Sequence, residues 1–286
     1  MRIGITGATS LIGQELCDFA IAKGHEVVRL IRLPSEQSDR YFAINDEAPR
    51  CDLSDLDAVV HLAWVRQKDS RELDTANAVA TEHLAAQCVV QRIRFVFVSS
   101  TTVLNAGSSP YGSAKLRAEE VTCRCNGVVV RPGLVWGGKL MKSPILQQLA
   151  RIAAIPLVLP TLSPDLLLYH SEITALCRTL VRVCDEPSLS GSRVCAFAHD
   201  QIALSAILKA MRTRGLLMTF RLPTSLCISI LRFLDRFRIR IGIEAESLRF
   251  ALPSKSSLDL QRGLQRSSEF SQMRADNFVE WLIRNG

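Results

Sequence analysis

The sequence predicts an α/β fold, in which a doubly wound parallel sheet is covered by helices on both faces. Short apolar runs rich in β-branched residues alternate with helix-like segments through the first half of the chain. The runs are apolar along their whole length, as in strands that are buried on both faces. They are "RIGIT", "EVVRLI", "DAVVHLA", "IRFVFVSS" and "GVVVRP", and the helix-like segments cover 13–23, 72–91 and 111–125.

The second half of the chain has a looser pattern. Four prolines interrupt it between residues 144 and 164, and helix-like segments recur at 171–184, 201–213 and 225–240. We therefore expect residues 1–133 to form the sheet and residues 134–286 to form a smaller, mainly helical part that covers the carboxyl ends of the strands. The polar stretch 33–55 is expected to hold one short strand. The two parts are expected to interleave as one structural unit.

Composition and charge limit the class of protein. Hydrophobic residues make up 48% of the 286 and charged residues 22%, which is typical of a chain that folds around a core. The net charge is +7, and the segment 209–249 alone holds nine basic and three acidic residues. The remainder is close to neutral, which argues against a nucleic-acid partner.

The cysteines and the first residues of the chain indicate the compartment. Nine cysteines are scattered without paired spacing, which favours reduced thiols over a disulfide framework or a zinc site. No metal site is expected. The opening "MRIGIT" runs directly into strand-like sequence, so we expect no signal peptide and a cytoplasmic location.

The turn after the first strand reads "TGATSLIG" and is typical of a phosphate-binding site. Gly7 can adopt a backbone conformation closed to other residues, and Gly13 allows the next helix to pack tightly on the strand. The helix amino terminus then offers free N–H groups to a pyrophosphate. Ser10 stands where such turns usually carry their middle glycine, and its hydroxyl could bond a phosphate oxygen. Similar turns also occur for purely structural reasons.

A second stretch, "SSTTVLNAGSSPYGSAKLRAEE" (99–120), carries candidate catalytic residues. Tyr111 and Lys115 are four residues apart on an expected helix and share one face. An ammonium beside a phenol favours the phenolate form, which suits the phenol for general acid–base work. Ser100 ends the preceding strand, where strand ends point into the ligand crevice, and could orient a substrate oxygen. The alternative is an ordinary surface helix, but the strand ending in Ser-Ser makes a chance match unlikely.

Together these stretches make the chain resemble an extended short-chain dehydrogenase/reductase of the NAD-dependent epimerase/dehydratase family, which has a Rossmann-type fold. The matching stretches include "TGATSLIG", "GHEVVRLIR", "CDLSD", "DAVVHLA", "NAVATEHL", "SPYGSAKLRAEE" and "VVVRPGLVWG". The resemblance implies a catalytic triad of Ser100, Tyr111 and Lys115, in which Lys115 also holds the nicotinamide ribose. It implies a cofactor site that comprises Gly7, Ser10, Leu11, Ile12, Gly13, Arg32, Asp52, Leu53, Leu62, Ala63, Asn77, Tyr111, Lys115 and Pro132.

Within that set, the resemblance gives several residues a specific place. Asp52 and Leu53 would flank the adenine, and Leu62 and Ala63 would line the cofactor. Asn77 would lie on the helix behind the active site.

The chain departs from the family pattern at several positions. The loop between Val103 and Tyr111 is shorter than usual, which removes part of a substrate pocket. The Asp-Glu pair of a 4,6-dehydratase is replaced by Thr101 and Thr102, so elimination is not expected. The tyrosine and glycine that often follow the catalytic strand are here Leu104 and Asn105, and "LSPDLLLYHSE" lacks an arginine that often grips a substrate diphosphate.

The end of the second strand bears on the choice of cofactor. A carboxylate there usually binds the adenosine ribose hydroxyls of NAD, but this stretch reads "VVRLIRLPS" and has no acid. Arg32 could pair with the 2′-phosphate that NADP carries and NAD lacks. A solvated strand-end arginine is the alternative. NADP is therefore favoured over NAD.

The triad supports hydride transfer at a carbinol or ketone carbon, and three functions remain open. The resemblance favours an epimerase acting on a nucleotide-linked or lipid-diphosphate-linked sugar. Arg32 favours an NADPH-dependent ketoreductase. A non-catalytic NADP-binding sensor is the third, although such proteins typically lose the tyrosine or the lysine. The expected partner is a small-molecule substrate, with a homodimer kept as an alternative.

The basic segment "TSLCISILRFLDRFRIRIG" (224–242) mixes apolar residues with arginines. A bilayer span needs about 20 mostly apolar residues, and charges at 232, 235 and 236 interrupt this run. An amphipathic helix here could lie on an anionic membrane surface. The alternatives are a packed helix with a solvated basic face and a clamp for substrate phosphates. Among the histidines, His61 is expected in the core, whereas His170 could reach the pocket.

Overall fold

The computed structural model describes residues 1–44, 51–65, 71–108, 110–155, 158–163, 165–212, 218–223 and 265–285, together with residues 226 and 229. Its centre is an eight-stranded sheet in which all recorded pairings are parallel. In sheet order the strands are β14 (Gln265–Arg266), β11 (Arg193–Ala196), β6 (Val128–Pro132), β5 (Arg94–Val98), β4 (Ala58–His61), β1 (Arg2–Thr6), β2 (Glu26–Ile31) and β3 (Arg40–Tyr41).

Helices cover both faces of this sheet. Side chains alternate between the faces along each strand, and since they are apolar on both sides, each face must be buried. α1 (Leu11–Ala22) and α5 (Ile173–Cys184) pack against each other on one face, where Val96 and Val98 of β5 are buried. α2 (Arg71–Gln91) and α3 (Pro110–Arg124) pack together on the other face, over Phe95 and Phe97. The doubly wound parallel sheet is therefore confirmed, and all five predicted strands are present.

The strand order reverses beside β1. The chain passes from β1 to β2 and β3 on one side, then returns to β4 on the other side. Connections leave the carboxyl ends of β1 and β4 in opposite directions, which opens a crevice between them. A reversal of this kind is where doubly wound sheets bind their ligands.

The second part of the chain contains more strand than its sequence pattern predicts. β11 and β14 extend the main sheet, so the sheet crosses the expected boundary at residue 133. Three small two-stranded sheets pair β7 (Leu134–Trp136) with β10 (His170–Glu172), β8 (Val158–Ser163) with β13 (Met218–Pro223), and β9 (Leu167–Leu168) with β12 (Ile202–Ala203). Within the described ranges, three further α-helices are α4 (Pro144–Ala153), α6 (Leu204–Ala210) and α7 (Ala275–Asn285).

Several predicted elements differ in extent. The helix expected over 201–213 is confined to α6, because Ile202 and Ala203 pair with β9 instead. A 3₁₀-helix at Thr101–Ser108, which the sequence did not indicate, joins β5 to α3. The helix expected over 225–240, and with it nearly all of the basic segment, lies outside the described residues. No helix in the described ranges is long and apolar enough to cross a bilayer.

Candidate active site

The turn between β1 and α1 lies at the crevice, and its glycines are required by close backbone contacts. Gly7 has φ +68°, and a Cβ there would lie 2.8 Å from the backbone nitrogen of Ala63 at the end of β4. A Cβ on Gly13 would lie 2.2 Å from the carbonyl oxygen of Gly7. Both positions exclude a side chain. The carboxyl ends of β1 and β4 therefore meet at the point where the strand order reverses.

The amino terminus of α1 is open at this turn. Ser10 is its N-cap, and the Ser10 hydroxyl oxygen accepts the Gly13 N–H at 3.0 Å. The first N–H groups of a helix have no acceptor within the helix, and those of Leu11 and Ile12 have none elsewhere in the described residues. Ser10 thus replaces the middle glycine as a capping residue, and its hydroxyl proton stays available to a ligand. The turn fits a pyrophosphate group.

A buried polar chain fixes the backbone after β4, where Leu62 and Ala63 follow His61. Thr6 accepts the N–H groups of both Leu62 and Ala63 on its hydroxyl oxygen, each at 3.1 Å. The same hydroxyl lies 2.7 Å from Nδ1 of His61, and Nε2 of His61 lies 3.2 Å from the Thr81 hydroxyl. Since Thr81 donates its own proton to the Asn77 carbonyl, Nε2 of His61 must donate to Thr81. Thr6 already accepts two N–H groups, so its hydroxyl donates to Nδ1 and His61 is neutral. The expectation of a core histidine is confirmed.

Asn77 holds Val65, two residues after Ala63 in the same loop. Its side chain is fully buried on α2, accepts the N–H of Val65 and donates to the Val65 carbonyl, each at 2.9 Å. The structure therefore places Asn77 behind the loop, where its amide holds the backbone that follows Leu62 and Ala63.

The three residues of the expected triad come from two neighbouring elements. Ser100 lies two residues after the end of β5 and accepts the Thr102 N–H on its hydroxyl oxygen at 3.2 Å. Tyr111 and Lys115 lie on α3. Lys115 reaches back to the end of β5, where its ammonium donates to the Val98 carbonyl at 2.9 Å. The lysine therefore connects the helix that carries Tyr111 to the strand end that precedes Ser100.

Trp64 joins this group, although the sequence had not marked it. Its ring centre lies 5.9 Å from that of Tyr111, edge-on, and 3.8 Å from Nζ of Lys115. The sequence offered one signal for this role. Trp64 directly follows Leu62 and Ala63, which were expected to line the cofactor, so an aromatic side chain at this position is expected near the active site.

A buried ion pair anchors α3, the helix that carries Tyr111 and Lys115. Glu119 and Arg131 are 0% and 2% exposed, and Arg131 donates from Nε to Oε1 at 2.9 Å and from Nη2 to Oε2 at 2.5 Å. The Ser99 hydroxyl donates to the same carboxylate at 2.6 Å. Glu119 lies one turn after Lys115, and Ser99 directly precedes Ser100. The pair thus fixes the position of α3 relative to the end of β5 and to β6.

The end of β2 presents an exposed cation. Arg32 is exposed, with no acidic partner recorded in the described ranges. The two acids of the following segment are both engaged by Arg29: Glu36 at 2.7 Å, and Asp39 through Nε at 2.7 Å and Nη2 at 2.8 Å. Asp39 also accepts the N–H groups of Ser35 and Glu36. Hydrogen bonds from Arg29 lower the pKa of the Asp39 carboxyl from 3.8 to about 2.

The other expected cofactor residues differ in exposure. The Asp52 carboxylate is exposed and accepts the N–H and hydroxyl of Ser54, which lowers its pKa. The Leu53 side chain is fully buried in the core, so only its backbone could face an adenine. Pro132 is buried at the end of β6, beside β5.

His170 does not reach the pocket, and that expectation was wrong. The side chain is fully buried, and its Nδ1 accepts the Trp136 indole N–H at 3.1 Å. Burial lowers the pKa of His170, and α7 covers this region through Phe278, which stacks on Trp136. In the described parts of the chain, no group of three or more His, Cys, Asp or Glu side chains is placed to hold a metal ion.

This sheet, with its open helix terminus at the point of strand reversal, is a Rossmann-type fold. Residues 3–137 match the profile of the NAD dependent epimerase/dehydratase family. The chain shares this fold with the crystal structure of UDP-N-acetylglucosamine 4-epimerase from Bacillus cereus. The two superpose with a TM-score of 0.65 at 16% sequence identity, over 99% of each chain.

Two curated relatives are reductases by name. The chain is 30% identical to dTDP-4-dehydrorhamnose reductase from Mycolicibacterium smegmatis over 48% of its own length and 46% of that protein. It is 26% identical to 2-alkyl-3-oxoalkanoate reductase from Stenotrophomonas maltophilia over 55% of its length and 58% of that protein. The matched regions thus span about half of each relative.

Proposed function

We propose that this protein is an NAD(P)-dependent oxidoreductase or epimerase that transfers hydride at a carbinol or ketone carbon of a nucleotide-linked or lipid-diphosphate-linked sugar. The observation that carries the proposal is the reach of Lys115 from α3 to the carboxyl end of β5, beside Tyr111 and two residues before Ser100. This group adjoins the crevice between β1 and β4, where the open terminus of α1 fits a pyrophosphate.

Each residue has a defined role in the proposed step. A bound nicotinamide supplies a hydride acceptor or donor. Tyr111 accepts the substrate hydroxyl proton when hydride leaves the same carbon, and returns a proton to the oxygen in the reverse direction. The Lys115 ammonium stabilises the negative charge on the phenolate. Ser100 already accepts the Thr102 N–H, so its own proton is free to orient the substrate oxygen.

A net reduction with NADPH is the second candidate. Arg32 is exposed without a recorded acidic partner in the described ranges, whereas Asp39 and Glu36 are held by Arg29. In the described segment 33–44, both carboxylates are therefore engaged and neither is left for the ribose hydroxyls of NAD, whereas Arg32 remains for the 2′-phosphate of NADP. The names of the two curated relatives also favour reduction.

Substrate turnover separates the two candidates. The protein is incubated with nucleotide-linked hexoses and NADP or NAD, or with their 4-keto forms and NADPH or NADH, and both nicotinamide absorbance and sugar products are followed. A ketoreductase consumes NADPH in proportion to product, whereas an epimerase forms product without net change of the cofactor. An NADP-binding sensor binds cofactor but forms no product with any member of the panel.

The choice of cofactor depends on Arg32. We expect Arg32→Asp to weaken NADPH binding in calorimetry by at least about a hundredfold, while NADH binding changes little, because a charged bidentate contact is replaced by repulsion. Arg92→Asp is the matched control, since Arg92 is exposed just before β5, at the amino-terminal end of that strand, whereas Arg32 follows the carboxyl end of β2. Equal affinity of the wild-type protein for both cofactors would contradict the assignment.

A further inference from the structure

Trp64 contacts both members of the Tyr–Lys dyad from a separate element. It follows β4, whereas Tyr111 and Lys115 lie on α3. The Tyr111 ring meets the indole edge-on, at 85° between the planes. Nζ of Lys115 lies 3.8 Å from the centre of the indole ring and 4.6 Å from that of Phe97. Two aromatic rings therefore flank the ammonium.

These rings face a cation that is removed from water. Lys115 is 3% exposed, and a buried charge is costly unless nearby groups compensate it. The Val98 carbonyl accepts one of its protons at 2.9 Å. The faces of Trp64 and Phe97 supply further attraction, because an aromatic face carries negative electrostatic potential and that of tryptophan is the strongest. The position of the ammonium thus depends on the indole.

The backbone on both sides of Trp64 is held by buried side chains. Thr6 accepts the N–H groups of Leu62 and Ala63, and Asn77 binds both the N–H and the carbonyl of Val65. The indole is therefore attached to a backbone that is fixed from β1 and from α2. Because the backbone of Trp64 is fixed in this way, its ring can determine the position of the Lys115 ammonium.

The indole N–H does not explain this placement. Nε1 of Trp64 is buried and has no acceptor in the described part of the chain, whereas buried tryptophans usually find one. Trp136 is an example in this protein, because its Nε1 donates to His170. At position 64 the contacts with Tyr111 and Lys115 are made by the ring, and the N–H makes no hydrogen bond within the described residues.

We propose that Trp64 is a positioning residue, whose ring, with that of Phe97, holds the Lys115 ammonium beside Tyr111 before any cofactor binds. The inference rests on the proposed function, because it assigns the dyad its role. An ammonium that is already in place loses less conformational freedom when it binds a ribose, which favours affinity. The aromatic face is the required property, and neither the indole N–H nor the volume of the side chain is.

Two substitutions separate the face from the volume. Trp64→Phe keeps an aromatic face without an N–H, and Trp64→Leu fills similar space without a face. With NADPH as the probe in calorimetry, we expect the Phe variant to stay within about threefold of wild type and the Leu variant to bind about tenfold more weakly. Trp281→Phe and Trp281→Leu are matched controls, because Trp281 packs on Trp136 and Phe278 instead. Neither control should alter the affinity by more than about threefold.

A double-mutant cycle tests the contact without cofactor or substrate. Trp64→Leu, Lys115→Met and their combination are compared with wild type by denaturant unfolding. We expect a coupling of about tenfold in the unfolding equilibrium constant, because the two groups attract each other only when both are present. The corresponding cycle with Trp281→Leu should show none.

Several results would overturn the inference. Absence of coupling between positions 64 and 115 would do so, as would a Leu variant that binds NADPH as tightly as the Phe variant. A Phe variant as weak as the Leu variant would also overturn it, because the role would then belong to the indole N–H. None of these readouts uses turnover, so they fail or succeed independently of the reaction proposed for Tyr111.

Discussion

At the scale of single residues, the site depends on buried polar groups that the sequence does not distinguish from ordinary core positions. His61 lies in a strand whose other residues are apolar, and it is neutral because of what surrounds it. Burial, and secondarily the charge of Lys115, lowers the pKa of His61 from 6.5 to about 3. The unfolded chain therefore binds one more proton than the folded protein between these two values.

This difference predicts a loss of stability in mild acid. Because the folded pKa is depressed, the contribution of His61 is fully present above pH 6.5 and is lost progressively as the pH falls toward 3, by roughly 1 kcal/mol per pH unit. His61→Asn, which cannot titrate, should flatten this part of the profile of unfolding free energy between pH 6.5 and 4. The exposed His83→Asn should leave the profile unchanged, and an equal slope in the His61 variant would contradict the assignment.

At the scale of elements, the position of α3 depends on the Glu119–Arg131 pair. Breaking a buried ion pair by removing one partner costs about 3–5 kcal/mol, whereas replacing both by apolar residues is often neutral. We expect Glu119→Gln to lower the free energy of unfolding by about 3 kcal/mol, and Glu119→Leu with Arg131→Met to recover most of it. Denaturant titration measures both. A single variant as stable as wild type would mean that the pair does not hold the helix.

The sequence predicts the strands and the first helices well, because their patterns depend on local spacing. It also places Tyr111 and Lys115 on the helix where the structure has them, whereas Ser100, expected to end the strand, lies two residues beyond the end of β5. It does not reveal that Asp39 and Glu36 are bound by Arg29, or that Trp64 lies against Lys115. These contacts join residues whose approach is set by the folded chain. The β-strands of the second part were missed for the same reason, since their partners are distant in sequence.

At the scale of the whole molecule, the net positive charge is concentrated in residues 209–249. The hypothesis of peripheral membrane contact through residues 224–242 predicts binding to phosphatidylglycerol vesicles in flotation, reduced by added salt. Each arginine near the headgroups contributes about 1 kcal/mol, so changing Arg236, Arg238 and Arg240 to Gln should weaken binding by about a hundredfold. Absence of binding at low salt would leave a basic segment that serves packing or substrate phosphates.

The most direct test of the proposed function compares Tyr111→Phe with the wild-type protein. The substitution removes the phenolic proton and little else, so we expect turnover of an active substrate from the sugar panel to fall at least about a hundredfold, while calorimetric NADPH affinity stays nearly unchanged. Tyr41→Phe, at the exposed edge strand β3, is the matched control and should keep full activity. A Tyr111→Phe protein that retained more than about a tenth of the wild-type rate would contradict the assignment of Tyr111 as the general acid–base.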